Sequence, residues 1–297
     1  MSEAPSYWPA PEGELIQAKD VSFYVIDQGQ GSPAVFLHGG GPGCHGWSDF
    51  GPVVPLLSSE RRCVVVDLLQ YGKSDKPVIR GPVWDFHAER LGYLIETMEL
   101  GPVDLVCNSW GGSAGLCLAG RRPELVNSVV ITGSMPVLHG ALSPLPEGLS
   151  TGGAGPGRGR RVREWYYGGE GPSKEKMRQL MAEVEWYDES KIPDATVAAR
   201  YEMSLDPEER RLGMTPGDRG SQQDLSDLLV SLQAPVLFLW GREDAFLPLD
   251  YPLMLANMVP KGHFHVMAHA AHHLQEEQPE AYTAIVRAFL DNEGRRI

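Results

Sequence analysis

Residues 103–120 read VDLVCNSWGGSAGLCLAG. Val103 to Cys107 is a short, nearly continuous apolar run, the pattern of a strand buried on both faces. Asn108-Ser109-Trp110-Gly111-Gly112 follows with no spacer, and SAGLCLAG then has helical spacing. So abrupt a change from strand to helix needs small residues two places either side of the apex, and here they are Cys107 and Gly111. The apex residue, Ser109, is expected in a strained conformation that lifts its hydroxyl above the sheet. The hydroxyl then lies at a helix N-terminus, whose positive end favours developing negative charge. An N-cap serine is the plainer alternative, but a cap does not require Gly-Gly behind it. The usual form of this turn has Gly where Cys107 stands.

Runs of the same kind lie on both sides: PAVFLHG (33–39), CVVVD (63–67), SVVITG (128–133), PVLFLWG (235–241) and HFHVM (263–267). Helical stretches such as HAERLGYLIETMEL separate them. Alternating strands and helices predict an α/β fold, a mostly parallel sheet with helices on both faces. Leu15–Ala18 and Phe23–Ile26 read as an antiparallel pair at one edge. The pattern breaks between about Met135 and Gly217. A Gly/Pro-rich stretch, HGALSPLPEGLSTGGAGPGRGRR, leads into helical segments with no strand among them. We therefore expect a core of residues 1–134 and 216–297 carrying a helical cap of residues 135–215, with the Gly/Pro-rich stretch as a mobile lid. Arg158, Arg160, Arg161 and Arg163 read as solvated loop charge.

His38-Gly39-Gly40-Gly41-Pro42-Gly43 follows the PAVFL run directly. Glycines let the backbone approach a ligand and aim an N–H at it. An oxyanion hole needs its second donor here, so the Gly40 N–H is expected to act with that of Trp110. Gly41-Pro42-Gly43-Cys44-His45-Gly46 formally matches a dinucleotide fingerprint, with Asp67 ending the next strand. The helix that should follow would contain Gly51, Pro52 and Pro55, which break it. Gly72-Lys73-Ser74 resembles the end of a phosphate loop, but the required first Gly falls on Asp67.

A nucleophilic serine needs a base, and the base an orienting acid. PVLFLWG ends in Arg242-Glu243-Asp244, and HFHVM is followed by His269 and His272-His273. Ser109, Asp244 and His272 thus occur in the order nucleophile, acid, histidine, each after a different strand. Asp250 and Glu243 are weaker candidates for the acid. His263 and His265 share one strand face. No cysteine or close carboxylate completes a ligand set, so no metal and no cofactor are expected.

Basic residues number 26 and acidic ones 39, a formal charge of −13, which argues against a nucleic-acid partner. No stretch approaches the ~20 apolar residues needed to cross a bilayer. The acidic, Pro-rich start lacks the features of a signal peptide. Cys44, Cys63, Cys107 and Cys117 form no Cys-x-x-Cys pair, as in a reducing cytoplasm. A small molecule is the expected partner. The quaternary state stays open, a homodimer included.

HGGGPG, NSWGG, GREDAFLPL and His272-x-x-x-x-Glu277-Gln278-Pro279 together resemble an α/β-hydrolase over nearly the whole chain. More narrowly, the chain is similar to the meta-cleavage product hydrolases, which cut a carbon–carbon bond in vinylogous diketones from aromatic-ring catabolism. That resemblance rests on HGGGPG followed by Gly46-Trp47-Ser48, on Asn108 before the nucleophile and on Arg200-Tyr201-Glu202. It implies that Arg200 and Asn108 hold the substrate carboxylate, with Gly41, Trp47 and His273 around them. Where the family tends to have Trp, Asn and Pro-Gly, this chain has His273, Asp49 and Gln70-Tyr71. Esterases, lactonases and proline iminopeptidases share parts of the pattern. The last of these hold a free amine with cap carboxylates, for which Glu183, Glu185 and Asp188 are present. A cyclase or lyase, or a ligand receptor, on the same fold are further alternatives.

Overall fold

The computed structural model describes residues 9–137 and 158–293. The Gly/Pro-rich stretch expected as a lid lies mostly outside the described residues.

Eight strands form the main sheet: β1 (Glu14–Ala18), β2 (Val21–Gln28), β3 (Pro33–Leu37), β4 (Arg62–Val66), β5 (Val103–Asn108), β6 (Val126–Thr132), β7 (Val236–Gly241) and β8 (Gly262–Met267). Their spatial order is β1-β2-β4-β3-β5-β6-β7-β8. β2 runs antiparallel to both β1 and β4, and every other pairing is parallel. This is the α/β-hydrolase arrangement, with β5 near the middle, so Ser109 emerges above the centre of the sheet. Central strands are buried along their whole length, as their unbroken apolarity requires. β8 differs. It is the sheet's edge, its burial alternates, and His263 and His265 point to solvent. An edge strand has one covered face, so period-two patterning replaces continuous apolarity.

The helices are α1 (Gly46–Phe50), α2 (Val83–Thr97), α3 (Ser109–Arg121), α4 (Arg158–Tyr167), α5 (Lys174–Leu180), α6 (Asp194–Ser204), α7 (Pro207–Met214), α8 (Asp250–Met258) and α9 (Pro279–Glu293), besides shorter turns. On one face of the sheet, Leu91 and Leu94 of α2, Leu116 of α3 and Leu255 of α8 pack on Leu105, Ile131 and Phe238. On the other, Phe50 and Val286 pack on Phe36, Val65 and Leu239. Each such side chain contributes about 1.5–3 kcal/mol by leaving water.

Between β6 and β7 a third apolar cluster forms from Val162 and Tyr166 of α4, Met177 and Leu180 of α5, and Val197 of α6. The arginine-rich stretch is therefore helix, with Val162 and Tyr166 buried on it, and not a solvated loop. The chain re-enters through Arg219–Ser221, which pairs in parallel with Ile79–Pro82 as a separate two-stranded ladder. These strands are too short and Gly-rich to have shown in the sequence pattern.

Candidate active site

Ser109 has φ +48°, an uncommon conformation for a residue with a side chain. Its backbone is held from behind. The Gly111 N–H donates to the His38 carbonyl at 3.0 Å. A Cβ on Gly111 would lie 2.3 Å from the Leu37 carbonyl oxygen, so the turn admits only glycine there. Cys107 fits two places before the apex because Gly115, facing it from α3, carries no side chain; a Cβ there would stand 2.8 Å from Sγ.

Asp244 and His272 meet beyond the ends of β7 and β8. His272 Nδ1 lies 3.0 Å from Asp244 Oδ2, with both side chains almost wholly buried. The other carboxylate oxygen accepts the Phe246 and Leu247 N–H groups at 2.7 and 3.2 Å, which fixes the carboxylate plane. Phe246 packs on the imidazole with ring centroids 4.4 Å apart. Gly133, at the end of β6 with φ +59°, leaves space for that imidazole. Sequence reading passed over Gly133. Its signal was a glycine directly after a buried strand. Neither weaker acid takes this place: Glu243 accepts from the Ala270 N–H and pairs with Arg242, and Asp250 starts α8.

Ser109 and His272 border one cavity of about 280 Å³. Gly40, Gly41 and Trp110 are also in its wall, as is His273. The glycine loop is braced by His38, whose Nε2 accepts the Leu68 N–H at 2.9 Å while Nδ1 sits 2.6 Å from the Gly39 carbonyl. Burial lowers the His38 pKa, and the neutral ring suits one nitrogen donating and the other accepting. The Gly40 carbonyl accepts from Tyr71 Oη at 3.2 Å and from Arg163 Nη1 at 3.3 Å.

Three residues expected around the substrate, Trp47, Asn108 and Arg200, do not line the cavity itself. Trp47, on α1, is buried in the core cluster with Phe50 and Leu57 and is not in the cavity wall. Asn108 is fully buried, and its Nδ2 donates to Asp49 Oδ2 at 3.2 Å, an oxygen that also accepts the Gly39 N–H at 2.7 Å. Arg200 is fully buried too. Its guanidinium pairs through both Nη atoms with Glu185 and donates to the Pro42 carbonyl at 3.1 Å. The carboxylate in its fork is thus the protein's own. The sequence offers Glu185 only as an amine holder, and its pairing with Arg200 could not be seen there because it depends on how two segments between β6 and β7 pack. Glu183 and Asp188 engage Gln179 and Ser190 at the surface.

Around that pair lies a buried charged cluster. His273 Nδ1 is hydrogen-bonded to Glu276, and its backbone N–H donates to the Glu185 carbonyl at 3.0 Å. Burial alone would lower the His273 pKa, but Glu185, Glu276 and Asp49 raise it to about 9, so the ring is charged at neutral pH. Burial pushes Glu276 up to about 7, against the pull of His273. Burial also opposes the charge on Asp49, yet His273, His38 and the Gly39 N–H hold it below its ordinary range. Asp49, His273 and Glu276 offer ligand atoms within 4.8 Å of one another. The set has one nitrogen and two carboxylates, and its atoms are already engaged in hydrogen bonds with one another and with Gly39 and Asn108.

Known proteins share this architecture. The chain is 32% identical over 294 residues to a 2-hydroxymuconate semialdehyde hydrolase of a Pseudomonas species, covering 95% of each chain. It is 30% identical over 289 residues to a 2-hydroxy-6-oxo-2,4-heptadienoate hydrolase of Pseudomonas putida, covering 94% of this chain and 96% of the other. Among solved structures, the meta-cleavage product hydrolase of Pseudomonas fluorescens superposes with TM-score 0.77 at 24% identity, covering 94% of this chain and 98% of the other. A 2-hydroxy-6-oxo-6-phenylhexa-2,4-dienoate hydrolase from Rhodococcus gives TM-score 0.75 at 24% identity, over 93% and 98%. At that identity the two structures speak for the fold alone. Residues 33–279 match the profile of the family described as alpha/beta hydrolase fold, and with the sheet order, the strained turn and these relatives in agreement the chain belongs to the α/β-hydrolases.

Proposed function

We propose that this protein is a serine hydrolase that cleaves a carbon–carbon bond in a 2-hydroxy-6-oxo-dienoate, a vinylogous 1,5-diketone bearing a carboxylate. The observation that carries the reading is the 3.0 Å contact of His272 with Asp244 at the wall of the cavity that Ser109 also borders. The relatives' names supply the substrate class. Asp244 holds His272 with Nδ1–H bound, leaving Nε2 as the base for the Ser109 hydroxyl. The enol hydroxyl of the substrate gives up its proton as C5 gains one, which produces a 2,6-diketone. The Ser109 oxygen, or a water it activates, adds to the C6 carbonyl. The oxyanion accepts from the Gly40 and Trp110 N–H groups, the latter in the first turn of α3, where backbone donors lack intrahelical partners. The C5–C6 bond breaks with its electron pair entering the dienolate, and water completes the released acid. Each oxyanion donor supplies roughly 3–4 kcal/mol.

The proposal extends to a small-molecule partner, no nucleic acid and a cytoplasmic setting, supported by four free, buried thiols. Among the described residues no helix is long and apolar enough to cross a membrane. The test compares turnover of 2-hydroxy-6-oxohepta-2,4-dienoate, a p-nitrophenyl ester and prolyl-naphthylamide. Preference for the dienoate is expected. Good turnover of the amide or ester with none of the dienoate overturns the reading. The amide is disfavoured by Glu185, the one candidate amine holder in the cavity wall, because Arg200 already neutralises it.

A further inference from the structure

Two guanidinium groups in the cavity wall have no part in the chemistry above. Arg163 comes from α4, and Arg219 opens the short strand at which the chain returns from the cap segment. Arg163 Nη1 donates to the Gly40 carbonyl at 3.3 Å. Arg219 Nη2 donates to the Gln70 carbonyl at 3.3 Å, and its guanidinium lies 4.3 Å from the centre of the Tyr71 ring. The two side chains converge. A methyl group on Gly213 would stand 3.1 Å from Arg163 Cδ and 3.6 Å from Arg219 Nη1.

Among the described residues neither arginine has a carboxylate within ion-pair distance, and the Nε of each is buried without an acceptor. Arg200, by contrast, has its fork filled by Glu185. Arg219 favours the charged form of a neighbouring acid, Glu209. It is itself buried, accepts the Gly43 N–H at 3.2 Å, and is pushed up by burial to about 7. Burial also lowers Arg163 to about 10, with the neighbouring charge of Arg219 adding to the effect. Two desolvated cations beside each other are costly unless an anion joins them. In a chain of net charge −13, leaving such a pair without a protein carboxylate in ion-pair contact points to an external one.

We propose that Arg163 and Arg219 bind the carboxylate of the substrate next to the glycine loop, in the role that family resemblance would give to Arg200. This rests on the hydrolase reading of the Ser109 cavity and deepens it. Because Arg163 also holds the Gly40 carbonyl, acid recognition and the oxyanion loop share a residue.

The test uses Arg163→Gln, Arg219→Gln and Arg219→Lys with three substrates: 2-hydroxy-6-oxohepta-2,4-dienoate, mono-p-nitrophenyl glutarate and p-nitrophenyl butyrate. For both Gln variants the ratio of kcat/KM on the acidic ester to that on the neutral ester should fall roughly tenfold or more, through KM. Lys should restore part of the loss. An unchanged ratio overturns the proposal. Should a Gln variant fail to fold, inhibition of the unaltered enzyme decides. Glutarate should compete at least about tenfold better than glutaramide, and equal inhibition overturns the proposal. Absence of dienoate turnover with an intact ester preference would sink the carbon–carbon reading and leave the acid subsite standing.

Discussion

Gly133 lies directly against the imidazole of His272. A Cβ on this glycine would come within 2.5 Å of Cε1 and 2.6 Å of Nδ1, and the backbone there has φ +59°. The end of β6 therefore sets where the histidine can stand. Gly133→Ala must displace the ring, and with it the 3.0 Å link to Asp244. A displacement of about 1 Å is enough for a loss near 10²-fold in kcat/KM. Steady-state kinetics on any turned-over substrate checks this, and activity within threefold of the unaltered enzyme would show that the ring has room to spare.

Ser109, the proposed nucleophile, sits on a strained backbone. Its positive φ costs about 1–3 kcal/mol, which a glycine does not incur. Ser109→Ala keeps the strain and should lower kcat by roughly 10⁴-fold or more with little change in stability. Ser109→Gly should be equally inactive but more stable than the Ala variant by about 1 kcal/mol. Urea unfolding of the two variants side by side measures the difference, and equal midpoints would argue against a strained apex.

The strained turn at Ser109 and the meeting of Asp244 with His272 were legible because each is set by local rules: a buried strand, an apex with glycines behind it, and a carboxylate and a histidine just past later strands. Cys107 looked like a flaw in that signature, and only the packing of Gly115 against it shows why it is tolerated. What stayed hidden depends on tertiary pairing. Arg200 in the sequence is a free guanidinium, and nothing nearby announces that Glu185 fills its fork. Arg163 looked like one solvated charge in a basic run. Only the helical turn of α4, which buries Val162 and Tyr166, aims it at the cavity.

The Arg200–Glu185 pair gives a stability prediction. Both side chains are buried, so removing one charge strands the other in a low-dielectric site. Glu185→Gln should destabilise the fold by about 3–5 kcal/mol. Glu183→Gln, at the surface two residues away, should change it by less than about 0.5 kcal/mol. Chemical denaturation of both variants provides the comparison, and similar small effects would mean that water reaches Arg200.

His273 predicts a pH dependence. Its pKa is raised to about 9 in the folded chain by Glu185, Glu276 and Asp49 acting against burial, from an ordinary value of 6.5. Between those two values the folded state binds more protons than the unfolded one. The stabilisation is therefore complete below about pH 6.5 and is lost as pH rises through about 9. Glu276, raised by burial to about 7, adds a loss of the same sign at lower pH. Unfolding free energy should fall from pH 6.5 to 9.5 with a slope of up to about 1.4 kcal/mol per pH unit. His273→Gln should flatten that slope, and an equally steep decline in the variant would assign it to other groups.

Cys107 and Gly115 should be thermodynamically coupled. With Cys107 present, Gly115→Ala drives a methyl to 2.8 Å from the sulfur, between a central strand and the helix that Ser109 opens. The helix is held in place, because the Gly111 N–H at its start is bonded to the His38 carbonyl. The substitution should cost about 1–3 kcal/mol. In a Cys107→Gly background the obstacle is gone, and alanine in a helix interior is favoured over glycine by about 1 kcal/mol. The same change should therefore reverse sign, giving a coupling energy of about 2 kcal/mol or more in a double-mutant cycle. Additive effects would mean that the sulfur is not what holds position 115 to glycine.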